Sequence, residues 1–125
     1  MSTILIVEDN ERNLKLVRDV LAHAGFDTLE AGDAERGIEL AREHLPDLIL
    51  MDVQLPGIDG VEALARLQAD EQTASIPVAA LTAFAMKSDR ERLLAAGFRD
   101  YLEKPISVRD LPDRVRRLID AKAPR

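Results

Sequence analysis

Three short apolar runs punctuate the chain, and each is closed by a polar side chain: Thr3 to Val7 by Glu8 and Asp9, Leu48 to Met51 by Asp52, and Val78 to Leu81 by Thr82. Runs of this length, rich in β-branched and aliphatic residues and free of polar interruptions, suit parallel strands covered on both faces. Between them the apolar positions change to helical spacing. Asn10 is placed to cap a helix through Ala24, with Leu14, Val17, Val20, Leu21 and Ala24 on one face and Gly25 as its stop. Phe26 to Ala31 reads as a weaker strand. Asp33 to His44 reads as a helix with Ile38, Ala41 and Leu45 turned inward before Pro46.

In the second half, Pro56, Gly57 and Gly60 break the chain after Asp52, and Val61, Leu64 and Leu67 predict a helix from Gly60 to Asp70. Gln72 to Ile76 is a polar connection. Ser88 to Ala96, with Leu93 and Leu94 apolar, is a helix stopped by Gly97, and a last strand over Arg99 to Glu103 leads into Lys104-Pro105. Ser107 to Asp110 has the form of a capping box, and Leu111, Val115, Leu118 and Ile119 supply the inner stripe of a final helix. Pro112 leaves two registers open. A helix capped by Ser107 would lose a main-chain hydrogen bond at Pro112, whereas a helix beginning later would hold the proline in its first turn.

Five strands alternating with five helices predict an α/β fold: a doubly wound, five-stranded parallel sheet in a flavodoxin-like three-layer sandwich. In the strand order 2-1-3-4-5 the winding reverses between the first and third strands, and ligands bind at such a reversal, outside the carboxyl ends of the strands. Glu8 and Asp9 close the first strand and Asp52 the third, so this order brings three carboxylates together. Their mutual repulsion calls for a cation, and a ligand set made only of oxygens suits Mg2+. Thr82 adds a hydroxyl and Lys104 an ammonium at the same edge. Metal, lysine, hydroxyl and a carboxylate nucleophile form a set suited to phosphoryl transfer, with the carboxylate accepting the group as an acyl phosphate. Each part also has a plainer use: acids at a helix start, a strand-end threonine, a solvated lysine. Their joint placement at the ends of four adjacent strands favours the chemical reading.

Composition removes other classes. The 125 residues fit one domain, and 46% hydrophobic residues can fill one core. A net charge of -6 argues against nucleic acid as a partner. With no cysteine, neither disulfides nor thiolate chemistry can operate. No span long enough for a bilayer and no leader-like start is visible, so no membrane association and a cytoplasmic location are expected. His23 and His44 fall near helix ends, where a solvated histidine is ordinary.

The motifs ILIVEDN at 4 to 10, LILMDVQLPGIDG at 48 to 60, LTA at 81 to 83 and KP at 104 to 105 resemble, in order and spacing, those of the receiver domains of two-component response regulators. The resemblance spans essentially the whole chain, which is read as one receiver domain (1–125) without an output domain. LTAFAMKSDRERL at 81 to 93 and KPISV at 104 to 108 draw it toward the family's single-domain cell-cycle regulators. The resemblance implies that Asp52 accepts a phosphoryl group from a histidine kinase or phosphotransfer protein. It implies Mg2+ held by Asp9, Asp52 and the main-chain carbonyl of Gln54, with Glu8 acting partly through water. Thr82 and Lys104 would contact the phosphoryl oxygens, the Lys104-Pro105 bond would be cis, and Tyr101 would be the switch aromatic. Such a protein catalyses only its own phosphorylation and dephosphorylation.

The same resemblance implies a downstream protein target on the face of helix four, strand five and helix five, where Met86, Lys87 and Arg90 lie. A separate surface near helix one, with Leu16 as a candidate, would dock the kinase. Gln54 and Phe84 would flank the approach of water to the phosphorylated Asp52, which predicts slow self-dephosphorylation. An aspartate-phosphorylating phosphatase of the haloacid-dehalogenase type needs a second acid two residues after the first, where Gln54 stands. A flavodoxin-like electron carrier needs a phosphate loop where Glu8-Asp9-Asn10 stands. The alternative that the residues leave in play is a degenerate receiver, a binding module that works without phosphorylation. Glu8 in place of the commoner aspartate and Pro112 in the last helix are the departures from the family pattern.

Overall fold

In the computed structural model, which describes residues 2–55, 57–83 and 86–122, five strands and five helices alternate. They are β1 (Thr3–Val7), α1 (Glu11–His23), β2 (Asp27–Ala31), α2 (Ala34–His44), β3 (Leu48–Asp52), α3 (Gly60–Ala69), β4 (Val78–Thr82), α4 (Lys87–Ala96), β5 (Asp100–Glu103) and α5 (Leu111–Lys122). All strand pairs are parallel, and the order is β2-β1-β3-β4-β5. The fold is the doubly wound flavodoxin-like sandwich that the alternation of patterns predicts.

Strand side chains alternate between faces, and the continuous apolar runs therefore feed two cores. Leu5, Val7, Ile49, Met51, Val78 and Ala80 point to the side covered by α2, α3 and α4, where Ile38, Leu64, Leu67 and Leu93 pack. Ile4, Ile6, Leu48, Leu50, Ala79 and Leu81 point to the side of α1 and α5 and meet Val17, Leu21, Leu111 and Val115. Every residue of β3 is buried. β4 is buried throughout as well, and each fully buried large aliphatic side chain contributes about 1.5–3 kcal/mol to holding these central strands.

Local rules set the helix ends. The side chain of Asn10 accepts from the amides of Arg12 and Asn13 at 3.0 and 3.1 Å, Asp33 accepts from Arg36 at 2.8 Å, and Asp59 accepts from Glu62 at 2.9 Å. One expectation needs correction. Leu45 is not on the inner face of α2: the helix ends at His44, and Leu45 takes a left-handed conformation (φ 48°) that turns its side chain out to 53% exposure. Of the two leucines of α4, Leu93 is buried and Leu94 is largely exposed. The stretch 72–76 is less polar in its packing than in its composition, because Thr73 is buried and donates its hydroxyl to the Leu67 carbonyl at 2.6 Å. The two registers at Pro112 resolve to the later one. The amide of Asp110 donates to Ser107 Oγ at 3.3 Å in a turn, and α5 proper starts at Leu111 with Pro112 in its first turn.

Candidate functional site

Strand register brings the chemistry-bearing residues to one edge. Val7 pairs with both Ala31 and Met51, Asp52 with Leu81, and Thr82 with Glu103, so β1, β3, β4 and β5 end almost level. Main-chain bonds extend the ladder by one rung into the site: Glu8 donates to the Ala31 carbonyl at 3.0 Å, Val53 to Leu81 at 3.1 Å, and Lys104 to Thr82 at 2.8 Å. The backbone that carries the polar side chains is therefore as fixed as the sheet itself.

Lys104 reaches across this edge to both buried acids. Its Nζ lies 2.9 Å from Asp52 Oδ2 and 3.0 Å from Glu8 Oε1, while the Glu8 and Asp52 side chains are almost wholly shielded from solvent. The other oxygen of Asp52, Oδ1, accepts the amide of Gln54 at 2.9 Å. Asp52 is thus held at both oxygens, one by a charge and one by a main-chain dipole. The Lys104-Pro105 bond is cis.

Asp9 is exposed, in contrast to its neighbour, and its carboxylate completes a triad. Oxygens from Glu8, Asp9 and Asp52 lie within 4.8 Å of one another. Burial, with the adjacent Asp52, pushes Glu8 up to about 7, although Lys104 and the nearby amide of Asn13 pull the other way. For Lys104, burial opposes the charge, but the carboxylates of Asp52 and Glu8 outweigh it and raise its pKa. One observation bears directly on a cation. Glu8 Oε2 is buried without a hydrogen-bond partner among the described residues, a costly arrangement for a carboxylate unless a further positive charge meets it. Three clustered acids, one with an unsatisfied oxygen, fit a small hard cation such as Mg2+.

Thr82 is buried at the end of β4. Tyr101 sits half-buried on β5, and its hydroxyl accepts from Arg90 Nη1 at 2.8 Å. The Gln54 side chain is exposed at the start of the loop that follows Asp52, and Phe84 lies outside the described residues, as does Pro56. Two contacts are not legible from composition or spacing. Gly60 begins α3 so close to β3 that an added Cβ would fall 2.6 Å from the Asp52 carbonyl oxygen. Arg90 and Tyr101 also meet across 11 residues of sequence. The glycine at the helix start is the one sequence signal for the first, and the second has none beyond its placement on a common face.

A parallel 2-1-3-4-5 sheet with a lysine bridging two buried acids beside a third is the arrangement of a response regulator receiver domain, and the family's model matches residues 4–116. The chain belongs to the response regulator receiver domain family. Among individual relatives, it is 50% identical over 106 residues to the polar-differentiation response regulator DivK of Brucella ovis, covering 85% of this chain and 86% of that one. Solved structures agree. A putative response regulator from Chloroflexus aurantiacus is 33% identical, with a TM-score of 0.90 over 95% of this chain and 98% of the other. The receiver domain of a sensor histidine kinase from Pseudomonas aeruginosa is 36% identical, with a TM-score of 0.87 and the same coverage, and holds a magnesium ion in its active-site cleft. Among the described residues no helix is long and apolar enough to cross a membrane.

Proposed function

We propose that this protein is a phosphorylation-driven regulator in which Asp52 accepts a phosphoryl group from a histidine kinase or phosphotransfer protein. The observation that carries the reading is the single ammonium of Lys104 set between Asp52 and Glu8, at 2.9 and 3.0 Å. In the transfer, an Asp52 oxygen forms a bond to phosphorus as the phosphorus–nitrogen bond of the donor histidine breaks. The imidazole leaves with that electron pair and takes up a proton. Lys104 then turns one of its donor hydrogens to a phosphoryl oxygen and keeps its charge throughout. The Thr82 hydroxyl, at the end of the neighbouring strand, donates to a second oxygen.

Glu8, Asp9, Asp52 and the carbonyl of Gln54 are the ligands this chain offers to Mg2+, which when bound offsets the charge of the incoming phosphoryl group. Gln54 serves twice: its amide orients Asp52 Oδ1, and its carbonyl is the neutral ligand. Tyr101 reports the state of the site to a downstream protein through the face of α4, β5 and α5. The likeness to DivK favours a role in cell-cycle or developmental control.

Incubation with acetyl phosphate and Mg2+ tests the reading. Intact-mass spectrometry should show one added phosphoryl group in the wild type and none in Asp52→Asn. Equal modification of both proteins would remove Asp52 as the acceptor, and no modification of either would favour a binding module that acts without phosphate.

A further inference from the structure

We infer that Arg90 is the positioning residue for Tyr101, and the link through which a change at the phosphorylation site is passed to α4. The inference rests on the reading of Asp52 given above and adds a component that the family likeness does not assign.

Side chains two apart on a strand share a face, so Tyr101 and Glu103 share one, as do their register partners Ala80 and Thr82. Tyr101 packs with the core on the α4 side of the sheet. It therefore lies between the hydroxyl at the end of β4 and the helix that follows. Arg90 meets it there in two ways. Its Nη1 donates to the phenol oxygen at 2.8 Å, and its guanidinium carbon lies 5.5 Å from the ring centroid. A planar guanidinium can hold a hydroxyl and cover an aromatic face together, and a lysine can do only one of these well. Arg90 Nε is buried and has no hydrogen-bond partner among the described residues, so the group is shielded from water on its inner side. That shielding strengthens the contact to the phenol.

The rest of α4 is weakly attached. Leu93 is its buried residue, its N-terminal neighbour Met86 provides no side-chain cap, and Met86 and Leu94 are 72% and 46% exposed. Among the described residues the ion pair on the helix, Lys87 to Glu91 at 3.8 Å, lies within α4 itself and on its exposed surface. Among the described residues, α4 is held to the sheet chiefly by buried Leu93, partly buried Ala96 and the charged hydrogen bond from Arg90 to Tyr101, so a change at that tyrosine acts on a large share of its attachment. When Tyr101 changes rotamer, its phenol cannot keep the Arg90 bond in place, and α4 must shift or loosen. Arg90 is thus coupled by linkage to the state of Asp52 without touching it.

Hydrogen–deuterium exchange of the full chain tests this in wild type, Arg90→Met, Tyr101→Phe and the double variant, each with and without acetyl phosphate and Mg2+. Without phosphate, amides of residues 88–96 should exchange about tenfold faster in each single variant, with the double variant no faster than either. Arg90→Lys should recover part of the protection. With phosphate, compared at a matched extent of Asp52 phosphorylation read by intact mass, the change in exchange over 88–96 seen in the wild type should shrink several-fold in Arg90→Met. Because Tyr101 is the sole tyrosine and the chain has no tryptophan, its fluorescence quenching by acrylamide gives a second readout that moves with Arg90. Unchanged exchange in Arg90→Met, or additive effects in the double variant, would overturn the inference. Failure of the wild type to become phosphorylated would count against the function of Asp52 alone, since the cycle without phosphate still decides whether Arg90 holds Tyr101 and α4.

Discussion

A Cβ atom on Gly60 would stand 2.6 Å from the carbonyl oxygen of Asp52 and 2.8 Å from the Cα of Val53. Both are backbone atoms of the segment that carries Asp52, and Gly60 also donates its amide to the Val53 carbonyl at 2.9 Å. The start of α3 is therefore fitted directly to the end of β3, and no side chain can give way to admit a methyl group.

The first prediction follows from that contact. Gly60→Ala should push the loop after Asp52 away from β3, costing about 1–3 kcal/mol as overpacking does and lowering the rate of phosphorylation by acetyl phosphate. Gly37→Ala is the matched control, because its added Cβ would meet a Val7 methyl carbon at 2.7 Å, a side chain of the core rather than the backbone of Asp52 and Val53. Both variants should melt at lower temperature, but only the first should be phosphorylated more slowly. Equal phosphorylation rates in the two would leave Gly60 a packing residue.

Lys104→Met gives a second prediction. Removing the ammonium strands two shielded carboxylates, and breaking a buried pair in this way costs about 3–5 kcal/mol when the remaining charge persists. Glu8 can escape by taking up a proton, which its position near 7 makes easy. The loss of stability should therefore be larger at pH 8 than at pH 6, and thermal melts at the two values measure it. A loss independent of pH would show that Glu8 does not respond to Lys104.

How far such contacts could be read in advance depends on what fixes them. The strands were legible to within a residue, because unbroken aliphatic runs bounded by acids or proline have few other uses. The closeness of the three acids and Lys104 was legible, since the carboxyl ends of adjacent parallel strands line one edge of such a sheet, and Thr82 lies buried at the end of β4. Leu45 was misread because it continues the helical spacing of Ile38 and Ala41, and only its left-handed φ of 48° turns it outward. Thr73 was hidden in a polar stretch, where its hydroxyl bond to the Leu67 carbonyl depends on how the loop folds back. The Arg90–Tyr101 contact leaves no local pattern, because its partners belong to different elements and meet only after α4 has docked on the sheet.

Glu8 supplies a third prediction, in which the sign matters. Its folded-state pKa is raised, from 4.5 to about 7, so the folded protein binds a proton that the unfolded chain releases between those values. Without metal, stability from this group is greatest at the acid end of that window and falls as pH rises through about 7. Chelated protein should thus melt on the order of 5 °C higher near pH 5.5 than this group alone would allow at pH 8. Mg2+ competes with that proton, and its affinity should fall about tenfold from pH 8 to pH 6. Glu8→Gln removes the proton and should flatten the dependence. Calorimetric titration across the range would sink the idea if the wild type and Glu8→Gln gave parallel curves.

The last prediction concerns how long the phosphoryl group stays on Asp52. Release requires a water in line with the bond from phosphorus to the Asp52 oxygen, and that water reacts faster if a neighbouring base takes its proton. Gln54, exposed at the start of the loop after Asp52, offers an amide, which can hydrogen-bond a water but cannot deprotonate it. Phe84 adds no base by its chemistry. Lys104, whose ammonium lies 2.9 Å from Asp52 Oδ2, is a cation and offers no base. The phosphoprotein should therefore hydrolyse slowly by itself, and its signal should be ended by a partner rather than by its own chemistry. Gln54→Asn, with a shorter side chain at the mouth of the site, and Phe84→Glu, with a carboxylate that can act as a base, should each release phosphate several-fold faster. Phosphate release from the purified phosphoprotein measures this, and unchanged rates in both variants would mean that these side chains do not control the approach of water.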